Sequence, residues 1–147
     1  MGTDAEDKRK HLEFLQGVIN RMASNSFLFK GWSITIIAGI SAFAAKDSSS
    51  GLMIVPMVSS LLFWSIDAHY LMLERAFRDL YDDVATLPAS AIDYSMKPKN
   101  VSVAAWAKTL VGRPILWLFY GTVLIMLVLL TFIINGYSLE VRFAHGT

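Results

Sequence analysis

Leu61–Asp83, LLFWSIDAHYLMLERAFRDLYDD, changes character midway with no Gly or Pro to interrupt it. Its first half is apolar enough for a bilayer interior, while its second half interleaves charged and aromatic residues. The stretch predicts one helix that leaves a membrane and continues as a rigid charged stalk. In the stalk, Glu74–Arg78, Arg75–Asp79 and Arg78–Asp82 stand at i, i+4. Each such pair supports an exposed helix by about 0.2–0.5 kcal/mol. Tyr70, Phe77 and Tyr81 form an aromatic stripe between them, and Pro88 ends the helical run.

Outward from this stretch, the composition is 54% hydrophobic against 17% charged, too apolar for an ordinary soluble domain. Three windows account for the excess. Phe27–Ala45 and Gly51–Leu73 hold about 19 and 23 residues, and Pro114–Gly136 contains no charge. Hydrocarbon about 30 Å thick needs roughly 20 helical residues, so each window suits one crossing. A chain of 147 residues has too little mass to bury three such helices in water. The expected fold is therefore an all-α membrane protein with three transmembrane helices, at 27–45, 51–73 and 114–136. Residues 1–26 form an amphipathic helix, with Leu12, Leu15, Val18, Ile19 and Met22 on one face. Asn20, Ser24, Asn25 and Ser26 then suggest either a turn or the wall of a watery vestibule. Residues 74–113 are the stalk and a loop, with Val101–Val111 a short amphipathic helix and Gly112-Arg113-Pro114 a break. Tyr137, Leu139, Val141 and Phe143 alternate in the tail, 137–147, and predict a short strand that needs partners from other subunits.

The charged N-terminal stretch carries no apolar core with a cleavage site, so no secretory signal is expected. Zero cysteines exclude disulfides and thiolate chemistry. Of thirteen Lys and Arg residues, only Lys46 and Arg142 fall on one side of the three windows. By the positive-inside rule the N-terminus and residues 74–113 are cytoplasmic, and the C-terminus is extracytoplasmic. Trp32 and Trp117 then sit near the cytoplasmic boundary as interface anchors.

His11, His69 and His145 lie in separate segments, and no metalloprotease, nucleophile-elbow or phosphate-loop motif occurs. No enzyme, catalytic residue, cofactor or metal is expected. Lys30 and Asp67 have matching depths in antiparallel spans, and either charge alone would cost about 2.5–3.5 kcal/mol to insert. They are read as a pair, against the alternative that Lys30 snorkels and Asp67 faces a wet interface. Gly31, Thr35 and Gly39 repeat every four residues and suit close helix packing or a narrow aqueous path. Lys30, Asp67, Asn25, Thr35 and Gly39 are thus the gating or pore candidates. Three spans cannot enclose a pore, so a channel requires a homo-oligomer.

The segments HLEFLQGVINRMASNSFLFKGWSITIIAG and FWSIDAHYLMLERAFRDLYDD resemble small bacterial membrane proteins paired with nucleotidyltransferases in anti-phage defence. Among these, the likeness is to the channel-forming effectors of Hailong-type systems, over roughly residues 11–83. The resemblance implies an oligomeric ion channel of the bacterial inner membrane, with four subunits the expectation. It also implies gating by short single-stranded DNA or a nucleotide signal, and loss of membrane potential on opening. Such a ligand needs cations for phosphate and aromatics for bases. Arg75, Arg78, Lys97, Lys99 and Lys108, with Tyr81 and Trp106, are the binding candidates, while Asp79, Asp82 and Asp83 would repel phosphate. The alternative is a non-conducting membrane adaptor that docks a cytosolic partner through its charged helix.

Overall fold

The computed structural model describes residues 2–46 and 50–145, with side-chain surroundings for 4–46 and 51–136. Its regular elements are all helical, and no strand occurs among the described residues. Helix α1 is Gly2–Lys46 and α2 is Ile54–Thr86, entered through a 3-10 turn at Ser50–Met53. Pro56 lies in the first turn of α2, where its missing N–H has no partner to lose. A short turn at Ala89–Ala91 and a loop lead to α3, Val103–Gly112. Ser102 caps α3 by accepting the Ala105 amide on its hydroxyl at 3.1 Å. Arg113 is extended, and Pro114 opens α4, residues 114–145. Helix α4 comprises Pro114–Leu116, a π-helical stretch at Trp117–Gly121, and Thr122–His145. Three helices are long and apolar enough to cross a membrane, over Asp4–Lys46, Gly51–Thr86 and Pro114–Gly136.

Two expectations are corrected. Asn20–Ser26 makes no turn, because α1 runs through it unbroken. Polar side chains break helices when they compete for their own backbone, and here they are used elsewhere. Gln16 donates to Asn20 Oδ1 at 3.2 Å, and the Ser26 hydroxyl donates to Asp67. Residues 137–145 are helix rather than strand. A lone strand has no ladder partner, whereas helix continues from residues already in register with nothing but Gly136 to weaken it.

The chain forms two compact units. The first comprises Met1–Phe27 and Asp67–Gly112; the second comprises Leu28–Ile66 and Arg113–Thr147. In the first, Leu15, Leu80, Val84 and Ile92 make a buried cluster, with Leu12, Phe77 and Tyr81 packed against it. The amphipathic face of α1 is thus spent on the charged half of α2. In the second, Ile37, Ala44, Met53, Leu127 and Ile134 form the core. Phe27, Trp32, Phe43, Leu62, Leu118 and Phe132 stay exposed, as lipid-facing residues would.

Candidate functional site

Asp67 sits in the first unit with none of its surface exposed. The hydroxyl of Ser26, itself buried, donates a hydrogen bond to Asp67 Oδ1. A carboxyl group at such a place is costly without a donor, and Ser26 supplies one. The sequence reading named Asp67 as a partner of Lys30 and placed Ser26 in a turn or vestibule wall, without joining the two. Ser26 and Ser33 are seven residues apart on α1, as are Ser60 and Asp67 on α2, and all four are buried. Seven residues is two helical turns, so each pair shares one face of its helix. That seven-residue spacing is the signal the sequence carries, beside the more conspicuous four-residue repeat of Gly31, Thr35 and Gly39.

Those three residues lie exposed on α1. The Thr35 hydroxyl is turned to its own helix, donating to the Gly31 carbonyl at 3.2 Å. A Cβ placed on Gly31 or Gly39 would meet nothing within 4 Å. The repeat is therefore not used for packing within the chain. Lys30 and Asn25 are both half-buried, and the carbonyl of Lys30 accepts the Ser33 hydroxyl at 2.8 Å.

The predicted anion-binding residues fall into two groups. Arg75, Lys97 and Lys108 are exposed. Arg78 and Lys99 are engaged inside the chain. Arg78 reaches Glu74 Oε1 through Nη2 at 2.7 Å and through Nε at 2.8 Å. Lys99 Nζ lies 2.9 Å from Asp83 Oδ2. That hydrogen bond, then the charge of Asp83, raises the Lys99 ammonium above the ordinary lysine range. Tyr81 packs against the cluster around Leu80 and Val84, so its ring serves the core of the first unit. Trp106 is half-buried on α3. The described groove lies on another element, lined by Pro114, Trp117, Leu118, Gly121 and their neighbours on α4.

Three further arrangements lie outside the sequence expectations. Lys8 Nζ donates to the carbonyls of Ala85 at 2.9 Å and Leu87 at 2.7 Å, placing a cation at the C-terminal end of α2. His11 is buried, its ring edge-on to Tyr94 at 5.5 Å between centroids. Tyr94 holds a φ of 53°, a conformation aromatic residues seldom adopt, and the His11 contact helps fix it there. In the second unit, Trp64 stands edge-on to Trp117 at 4.6 Å and stacks with Tyr120 at 5.9 Å. Trp117 is thus both half exposed, as an interface anchor requires, and packed on another ring. Among the described residues no group of His, Asp and Glu is placed to hold a metal ion. No family model, curated protein or solved structure matches this chain.

Proposed function

We propose that the chain is one subunit of a homo-oligomeric ion channel in a bacterial inner membrane. A nucleotide or short single-stranded DNA gates it from the cytoplasmic side, and opening disrupts the membrane potential. The observation that carries this reading is the continuity of α2. At 1.5 Å per residue its 33 residues reach about 50 Å, against hydrocarbon about 30 Å thick. A helix that long exceeds the hydrocarbon thickness, so its charged half continues past the apolar half that suits a bilayer. The buried Asp67, bonded to Ser26, lies where the two halves join. The exposed Gly31, Thr35 and Gly39 give a second copy a face on which helices can approach closely. Arg75, Lys97 and Lys108 offer exposed cations for phosphate, and binding through them weakens steeply with salt.

One observation favours the adaptor instead. Arg78 on α2 and Lys99 in the loop after it are already neutralised by Glu74 and Asp83, as expected of a surface that stays solvated until a protein docks on it. Purified oligomer in planar bilayers, with and without single-stranded oligonucleotide, separates the two. Conductance that changes with oligonucleotide supports the channel. Silence from a defined oligomer in both conditions, with normal membrane potential in overexpressing cells, overturns it in favour of the adaptor.

A further inference from the structure

Helix α3 has an outer face that water does not explain. Val103, Ala104, Ala107, Lys108, Val111 and Gly112 are exposed and fall on one half of the helix. Val103 is 79% exposed and Val111 is 65% exposed. The opposite half carries Ala105, Trp106, Thr109 and Leu110, all buried or half-buried. An ordinary surface helix is apolar on one side and polar on the other. This one is apolar on both sides, and Lys108 is its only charged residue. Something other than solvent covers the outer half.

We infer that the outer face of α3 lies in the headgroup region of the bilayer and binds its anionic lipids. Two observations choose a lipid surface as the occupant. The first is chain continuity: only Arg113 separates Gly112 from Pro114, where a helix apolar enough to cross a membrane begins. One extended residue spans less than about 4 Å, so the end of α3 stays at the depth where that span starts. The second is charge. No Asp or Glu occurs from Tyr94 to Leu139, while Lys97, Lys108 and Arg113 all precede the span, Lys99 being held by Asp83. A short apolar face with cations at its margin, beside a span, fits anionic phospholipid. Lys108 lays its carbon stem along that face and its ammonium reaches the phosphates, as lysines at interfaces do.

The inference needs 114–136 to span the membrane but does not need the protein to conduct. The chain lacks cysteine, so each single-cysteine variant takes one nitroxide label. Val103→Cys, Ala107→Cys and Val111→Cys probe α3, Lys97→Cys probes the loop, and Met126→Cys provides a reference on α4. Each is reconstituted in phosphatidylcholine vesicles with or without phosphatidylglycerol, and collision with oxygen and with a water-soluble nickel chelate is measured. The three α3 labels should show an oxygen-to-nickel ratio several-fold above that at position 97, rising further with phosphatidylglycerol. Adding Lys108→Glu should abolish the rise. Nickel access at all three α3 positions, with Met126→Cys still lipid-like, overturns the inference and leaves the spans intact. Labels that are immobilised and shielded from both reagents show a protein partner and overturn it as well. A water-accessible Met126→Cys defeats the span and the inference together.

Discussion

Asp67 and Ser26 place a hydrogen-bonded carboxyl where burial makes an unmade bond expensive. Removing the donor should cost about 1–3 kcal/mol, because the oxygen it served has no water to turn to. Ser26→Ala should therefore lower the unfolding midpoint in detergent, and Asp67→Ala should too. If the two side chains act through one bond, the double variant should lose less than the sum by about 1 kcal/mol. Strict additivity would show that each residue matters separately. Lys99 is the second residue whose effect has a sign. Its ammonium titrates above the ordinary lysine range because Asp83 holds the charged form. A group whose folded value is raised stabilises below its unfolded value, and loses that contribution as pH climbs through the folded one. Lys99→Met should thus be slightly less stable than the parent at neutral pH, with the difference vanishing in strong alkali. A difference that persists there would assign it to packing. The side chain is fully exposed, so the effect is small and is best read as a difference between matched melts.

Among the elements, α2 was the most legible from sequence and the middle of α1 the least. Nothing between Met57 and Leu87 interrupts a helix, so local propensity and periodicity agree with the structure over that length. Asn20–Ser26 misleads because polarity alone cannot distinguish a turn from a helix whose polar residues meet polar partners. Tyr137–Phe143 misleads because seven residues of alternation weigh less than a helix already propagating into them. The π-helical stretch at Trp117–Gly121 carries two rings that pack on Trp64, a long-range arrangement that no local pattern encodes. Of the candidate site, Asp67 was visible as a charge in a span and Glu74–Arg78 as an i, i+4 pair, whereas the Lys99–Asp83 pair joins a loop to a helix across 16 residues with no local signature. The Lys8 clamp was illegible for a further reason: its acceptors are backbone carbonyls more than seventy residues away, with no side-chain signature. A cation at a helix C-terminus contributes about 0.3–1 kcal/mol. Lys8→Met should therefore fray the last turn of α2 without unfolding the unit. Hydrogen exchange of the Leu87 amide, which donates to the Val84 carbonyl, should quicken several-fold while the interior of α2 is unchanged. Uniform acceleration along α2 would mean that Lys8 holds the whole packing of α1, not one helix end.

For the whole molecule, the uneven distribution of charge is the feature on which orientation depends. Lys46 and Arg142 alone stand apart from the other eleven basic residues, and loops rich in Lys and Arg resist translocation. The proposed topology puts Gln16 and Lys97 in the cytoplasm and Gly51 outside, and all three positions are exposed. With no native cysteine to interfere, Gly51→Cys should react with an impermeant maleimide in intact spheroplasts. Gln16→Cys and Lys97→Cys should react only after the inner membrane is permeabilised. The reverse pattern would move Arg75, Lys97 and Lys108 to the far side. A cytosolic oligonucleotide could not then reach them, and both the gating proposal and the adaptor reading would fall. Equal labelling of all three positions in intact cells would mean a mixed orientation or an open pore wide enough for the reagent. Repeating the experiment with a larger impermeant maleimide separates those cases, since a pore excludes the larger reagent and inverted molecules do not. Orientation is thus the first measurement to make, because the side on which the cations stand decides which ligands can be tested at all.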